Sequence, residues 1–466
     1  MAYLDRWNAD DFMTLLKGNL SALSISISLE QLPRTFADAI HITRELRMDY
    51  IWIDSLCIIQ DDNDDWRQEI TLMEYIYGGS YLNVAASSAT SVHGGCWAGL
   101  NGNCNAFRTK VSVQGDELIR EIRDDACYDR AVWGCHLATR AWALQEKLLS
   151  PRTLHLGDRG AFWECRLDIA SEFLPDGFTQ RLGSGLLQKT RRLQHLQQWW
   201  AEVVRLFTQG DLTFARDKLL ALSGFARYVH TQKGGEYLAG LWRDERIEAQ
   251  LCWHVDDPRM RPIVWRAPSW SWASVDGPVS YTPTQAGICE DEFAHVADAR
   301  VTPLEDDVFG ELSAGVLHII CEGIICGHIL SFDRMVVPGI DRTFQCPVFL
   351  DTLDGDYLSP EITVYLLPLI GGKQGIGIFQ DGAWFEPKVL QGIVLHRTGG
   401  KGGEFRRIGA FRCEQPQSLD EAGESDTYHD FMQELGRSGQ KVAELVCEKV
   451  THDTEHARER FSITVV

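Results

Sequence analysis

The chain has 466 residues, with 45 Lys and Arg against 66 Asp and Glu, a formal charge of −21 with neutral histidines. That balance weighs against a nucleic-acid binder, whose affinity comes from Lys and Arg neutralising phosphates, and against docking on anionic lipid. At 44% hydrophobic and 24% charged residues, the composition is that of a folded chain of two or three domains, not of a disordered one.

No leader is read at the start, where Asp5, Arg6, Asp10 and Asp11 stand in place of a basic stretch followed by an apolar one. No segment reaches the roughly 20 apolar residues that span a bilayer. The 13 cysteines form no C-x-x-C pair, so they read as free thiols of a reducing compartment, with no metal site expected. A cytoplasmic protein without a membrane span, a nucleic-acid partner or a resident cofactor is expected.

In chain order, the first third alternates helix and strand signals. Residues 32–48 open with Pro33, which suits a first helical turn, and Phe36, Ala39, Ile40 and Thr43 recur at helical spacing. Tyr50-Ile51-Trp52-Ile53 has the length and content of a buried strand, closed by Asp54. The acidic run from Asp61 to Asp65 marks a helix start, capped by Asn63 or Asp64. Trp66, Ile70, Met73 and Tyr77 supply that helix's apolar stripe, and another strand reads at 81–86. This order predicts an α/β domain with a largely parallel sheet. Residues 87–137 look like an insertion, a lid or hairpin. A helix over 140–149 stops at Ser150-Pro151, and strands follow at 153–156 and 161–165.

The middle third reads as helical. Trp199, Trp200, Val203, Val204 and Phe207 share a face, and the pattern continues through 217–228 and 236–252. From about residue 261, prolines punctuate short apolar runs at 316–320, 348–350 and 362–367, which predicts a β-rich module. The expected division is an α/β domain over 1–165, a helical connecting region over 166–260 and a β-rich C-terminal domain over 261–466. Trp270 and Trp272 lie on one face of an extended segment and read as an interdomain plug. The glycine patch at 398–403 lacks the G-x-x-x-x-G-K-[ST] order of a phosphate loop.

Several strings together resemble the fungal heterokaryon incompatibility (HET) domain. They are Leu32-Pro-Arg-Thr-Phe-Ala-Asp-Ala-Ile40, Tyr50-Ile-Trp-Ile-Asp-Ser-Leu-Cys-Ile-Ile-Gln60, Asp65-Trp66 through Tyr77, and Arg140-Ala-Trp-Ala-Leu-Gln-Glu-Lys-Leu-Leu-Ser150. Phe162-Trp-Glu-Cys165 fits the end of that domain. Asp217-Lys-Leu219, Ala267-Pro-Ser-Trp-Ser-Trp-Ala-Ser274 and Arg407-Ile-Gly409 resemble its usual downstream companions. The resemblance implies a role in non-self recognition and regulated cell death. The partner implied is another incompatibility protein or a second copy of the chain.

The resemblance also implies a fold similar to the Toll/interleukin receptor (TIR) domain, some members of which cleave NAD. In those enzymes a glutamate follows a tryptophan by four positions, as Glu146 follows Trp142 here. HET domains usually open on a strand reading Leu-Ser-His/Tyr-x-Trp-Gly. Here Tyr3-Leu-Asp-Arg-Trp-Asn8 keeps Trp7 but not the Ser-His pair or the Gly, which implies a shortened first strand.

By this analogy Glu146 is the catalytic carboxylate of an NAD glycohydrolase, stabilising an oxocarbenium-like ribose as glycosidase carboxylates do. Asp54, Trp142, Arg6 and Trp7 are the substrate-binding candidates, with NAD as substrate. Asp54 lies where open α/β sheets bind ligands, and Trp142 or Trp52 offers a flat ring. The plainer reading ties Glu146 to Arg140 or Lys147 and lets Asp54 cap a turn. The alternative function is a self-assembling signalling or interaction module without chemistry.

Overall fold

Pro33 supplies the fixed φ of a helix start and has no amide proton to lose. In the computed structural model helix α1 (Arg34–Glu45) begins directly after it and buries Phe36 and Ala39. The structure describes residues 12–97, 107–113, 116–122, 126–177, 196–243, 246–281, 291–332, 334–336, 343–373, 378–380, 383–385, 387–400, 402–416, 426–450 and 459–466. The opening strand expected around residues 3–8 therefore lies outside the described residues. The chain forms two compact units, one of residues 1–199, 210–214 and 220–231, the other of 200–209, 215–219 and 232–466.

In the first unit the run 50–53 does not become a strand. It passes into a one-turn helix, α2 (Asp54–Cys57). Tyr50 is 92% exposed and Ile51 is also exposed, so Ile53 is the only residue of the run with its side chain in the core. Helix α3 (Asn63–Gly78) follows the acidic run, one residue earlier in its capping than expected: the Asp62 carboxylate accepts from the Asp64 amide at 3.1 Å. Ile70, Met73 and Tyr77 are its buried stripe.

Strand β1 (Asn83–Ala86) precedes an antiparallel hairpin of β2 (Phe107–Val113) and β3 (Asp116–Ile122), inside the expected insertion. Helix α4 (Ala141–Leu149) leads into β4 (Arg152–Gly157), β5 (Gly160–Cys165) and β6 (Ile169–Ser171). The sheet order is β1-β4-β5-β6. Only β1 and β4 run parallel, Asn83 opposite Thr153, while β4–β5 and β5–β6 are antiparallel. The sheet is thus mixed, not largely parallel. The reason is local: Asp158 and Arg159 form a two-residue connection, and Gly160 at φ 104° folds β5 directly back. A parallel partner would need a long crossover.

The middle stretch is mixed instead of helical. It holds helices α5 (Leu196–Thr208) and α6 (Leu220–Lys233). The 236–252 segment, expected as helix, is a hairpin of strands Glu236–Leu238 and Leu241–Arg243 followed by one helical turn at Ile247–Gln250.

The C-terminal half is β-rich, as expected. Among the described residues a twelve-stranded sheet runs through Ala294–Pro303, Leu312–Cys321, Arg460–Val465, Glu404–Glu414, Lys388–Arg397, Val364–Lys373 and Ile325–Ser331. The strand Val348–Leu350 pairs on Glu404–Glu414. Arg407 is wholly buried here; it grips Asp351 at 3.1 and 3.2 Å, donates to the Leu251 and Trp253 carbonyls, and lies 3.3 Å above the Trp253 ring. Trp270 and Trp272 belong to the interior of this unit, with Trp272 packed on Phe207 at 5.8 Å. Among the described residues no helix is long and apolar enough to cross a membrane.

Candidate functional site

Helix α4 has nine residues, seven of them buried, so it has almost no solvent face. Gln145, Glu146 and Lys147 stand in succession on it. At about 100° per residue they must aim in three directions. The Gln145 carbonyl accepts from the Phe225 amide on α6 at 3.1 Å, and its amide nitrogen meets Met73 Sδ on α3 at 3.8 Å. Lys147 reaches Glu164 on β5 at 3.2 Å and lies 3.2 Å from the centre of the Trp133 ring. Glu146, only 5% exposed, faces Tyr77 on α3.

Tyr77 is buried on α3 and lies in the field of two of the candidate carboxylates. Burial pushes its phenol well above the ordinary range; the charges of Glu146 and Asp54 push it further, and Arg140 acts in the opposite sense. The buried Tyr77 hydroxyl thus feels the charge of two carboxylates, one on α2 and one on α4, and of the Arg140 guanidinium. Trp52 packs edge-on against the Tyr77 ring at 5.6 Å. Asp54 is 4% exposed and opens α2 as its first residue, where its Oδ1 accepts from the Ser55 amide at 2.7 Å; the cap position itself is Ile53 and carries no side-chain cap. Buried carboxylates beside donors can hold the hydroxyls of a sugar and stabilise positive charge developing on it.

Of the residues expected at the site, Glu146 and Asp54 are both buried, and the charge of each acts on the Tyr77 phenol. Trp142 is half-buried one turn before Glu146 on α4. Arg6 and Trp7 lie outside the described residues. Among the described residues no group of three or more His, Cys, Asp and Glu side chains could hold a metal ion. Sequence reasoning read Tyr77 only as core stripe and named Arg140 only as an ion-pair partner of Glu146; the charges of Arg140 and Glu146 both act on Tyr77.

Sequence reasoning also missed a second buried network, built on Lys147, the residue after Glu146. Burial works to raise the Glu164 carboxyl, but Lys147 and His155, with Tyr128 in the same sense, hold it down at about 2. The ionised carboxylate can only accept, so the His155 Nε2–H donates to it at 3.0 Å. That leaves Nδ1 to accept from the Ser87 hydroxyl at 3.5 Å. The readable signal for this network was a polar trio set in a helix otherwise made of Ala, Leu and Trp.

Residues 6–146 match the family model of the heterokaryon incompatibility protein (HET), and the match ends on Glu146 itself. The chain carries a HET domain. No curated relative and no solved structure matches it. Within the HET domain, the described candidate residues come from the segments that follow α1: Trp52, Asp54, Tyr77, Arg140 and Glu146.

Proposed function

We propose that this chain acts in fungal heterokaryon incompatibility, as a cytoplasmic protein of non-self recognition and regulated cell death. In this reading its TIR-like HET domain hydrolyses NAD. What supports this reading is the burial of Glu146 and Asp54, the action of both charges on the buried Tyr77 phenol, and the Trp52 ring packed on Tyr77.

In this mechanism Glu146 stabilises the oxocarbenium-like ribose as the nicotinamide bond breaks. Asp54 accepts a ribose hydroxyl, and an aromatic ring, Trp52 or Trp142, packs on the flat base. Arg6 and Trp7 border the nucleotide. Water completes the reaction, and no resident cofactor takes part. The trigger is another incompatibility protein or a second copy of the chain.

The test uses the purified full chain with NAD and follows nicotinamide by chromatography. Release is expected from the wild type. Glu146→Gln keeps the side-chain size and is expected to lower release by about 10²–10³-fold, with the melting temperature held within a few degrees. Absence of release from the wild type, or release untouched by the substitution, removes the enzymatic reading. Concentration-dependent assembly without release would instead favour a signalling module.

A further inference from the structure

We propose that Cys346 and Cys413 are a disulfide-forming thiol pair, a modification site for two-electron oxidants of the peroxide or organic disulfide class. The strand Val348–Leu350 pairs antiparallel with Glu404–Glu414, Val348 opposite Phe411. Carried two residues back, that register sets Pro347 opposite Arg412 and Cys346 opposite Cys413. The Arg412 amide donates to the Pro347 carbonyl at 3.1 Å, which makes theirs the hydrogen-bonded pair. Cys346 and Cys413 then form the non-hydrogen-bonded kind, in which Cα atoms approach to about 4.5 Å and side chains stand closest. A disulfide requires a Cα separation of about 4.4–6.8 Å. The two sulfurs already lie 3.5 Å apart, and both side chains are fully buried. Bond formation needs the sulfurs to close to about 2 Å and no shift of register.

The pair sits in an apolar core with Met335, Leu350, Phe411 and Phe431. Burial pushes the Cys413 thiol up, so thiolate is scarce while the strand is closed. Reaction waits on opening of a three-residue strand that pairs with Glu404–Glu414 alone among the described strands. One thiolate then attacks a peroxide oxygen, giving a sulfenic acid and hydroxide. The second thiol attacks that sulfur, forms the S–S bond and expels water. The peroxide takes both electrons.

The residue after this strand, Asp351, already ties it to Arg407 on the partner strand. Oxidation therefore adds a covalent tie at one end to the ionic tie at the other.

The experiment treats the full-length protein with hydrogen peroxide just below its melting temperature, digests it without reductant and maps the peptides by mass. A linked Cys346–Cys413 peptide, lighter than its reduced halves by two hydrogens, is expected. The bond closes a loop of roughly 70 residues, so the C-terminal unit should melt on the order of 5–10 °C higher, reversed by reductant. Cys346→Ala should abolish both effects; if that variant does not fold, the wild-type map alone decides. Both thiols remaining free while the exposed Cys57 is oxidised overturns the proposal. Linkage of Cys413 to any other cysteine does the same.

Discussion

Glu164 holds a charge in a place where burial alone would neutralise it. Its ordinary value is 4.5 and its value here about 2, set against burial by Lys147 and His155. A carboxyl lowered on folding contributes stability above its unfolded value and loses it as pH falls through the folded one. For this nearly fully buried group the span is worth roughly 3 kcal/mol. His155 acts earlier. Burial lowers it from 6.5, with the Glu164 hydrogen bond opposing, so below pH 6.5 the unfolded chain takes up a proton that the folded one refuses. Stability is therefore complete above that pH with respect to His155 and declines below it. The urea midpoint of the N-terminal unit should begin to drop near pH 6.5 and drop more steeply below 4.5. His155→Gln is expected to remove the limb between those values and leave the lower one. Identical pH dependence in the two proteins would show that His155 is not the first group to titrate.

At the scale of elements, the hairpin at 236–243 shows what a single backbone position decides. Ala239 and Gly240 adopt φ of 50° and 93°, turning one strand into the next. The Gly240 carbonyl accepts from the Trp200 and the Trp272 indole, each at 2.8 Å. A Cβ at Gly240 would stand 2.6 Å from Trp272 Nε1. Gly240→Ala should cost roughly 2–4 kcal/mol through strain and overpacking. Urea unfolding followed by tryptophan fluorescence reads this directly, and an unchanged midpoint would refute the packing argument.

The same turn explains why 236–252 misled a reading by periodicity: its apolar residues suit a helix face until one glycine reverses the chain. Helices α1, α3 and α4 were legible, because Phe36, Ile70 and Leu144 recur in register with flanking caps or prolines. Strand direction was not. It rests on the short connection at Asp158 and Arg159, and alternation of elements says nothing of how β5 leaves β4. Glu146 and Asp54 were named from the strings around them. Arg140 was legible only as an ion-pair partner of Glu146 and Tyr77 only as core stripe, because which helix packs on α4 is a tertiary fact. The Lys147–Glu164–His155 network joins residues on a helix and two strands, so no local spacing announces it.

At the scale of the molecule, the helix bearing Glu146 depends on chain far beyond the expected boundary at 165. The Asp211 carbonyl accepts from the Ala141 amide at 3.1 Å, and the Asp211 amide donates to the Thr139 carbonyl at 2.7 Å. Residue 211 thereby satisfies one of the four amides that an α-helix leaves open at its start. Gly210 permits this approach, since a Cβ there would lie 2.7 Å from the Ala141 nitrogen. Farther on, Phe225 of α6 supplies the amide held by Gln145 and packs on Trp199 at 5.0 Å. A fragment ending at Cys165 keeps every string by which the HET domain is recognised, yet it loses the N-terminal support of α4, the partner of a wholly buried amide side chain and the strand Ile169–Ser171. It is expected to lack a cooperative thermal transition and to bind a hydrophobic dye, while the full chain melts sharply. A fragment 1–165 that unfolds cooperatively near the temperature of the full chain would show that α4 is held by the first 165 residues alone.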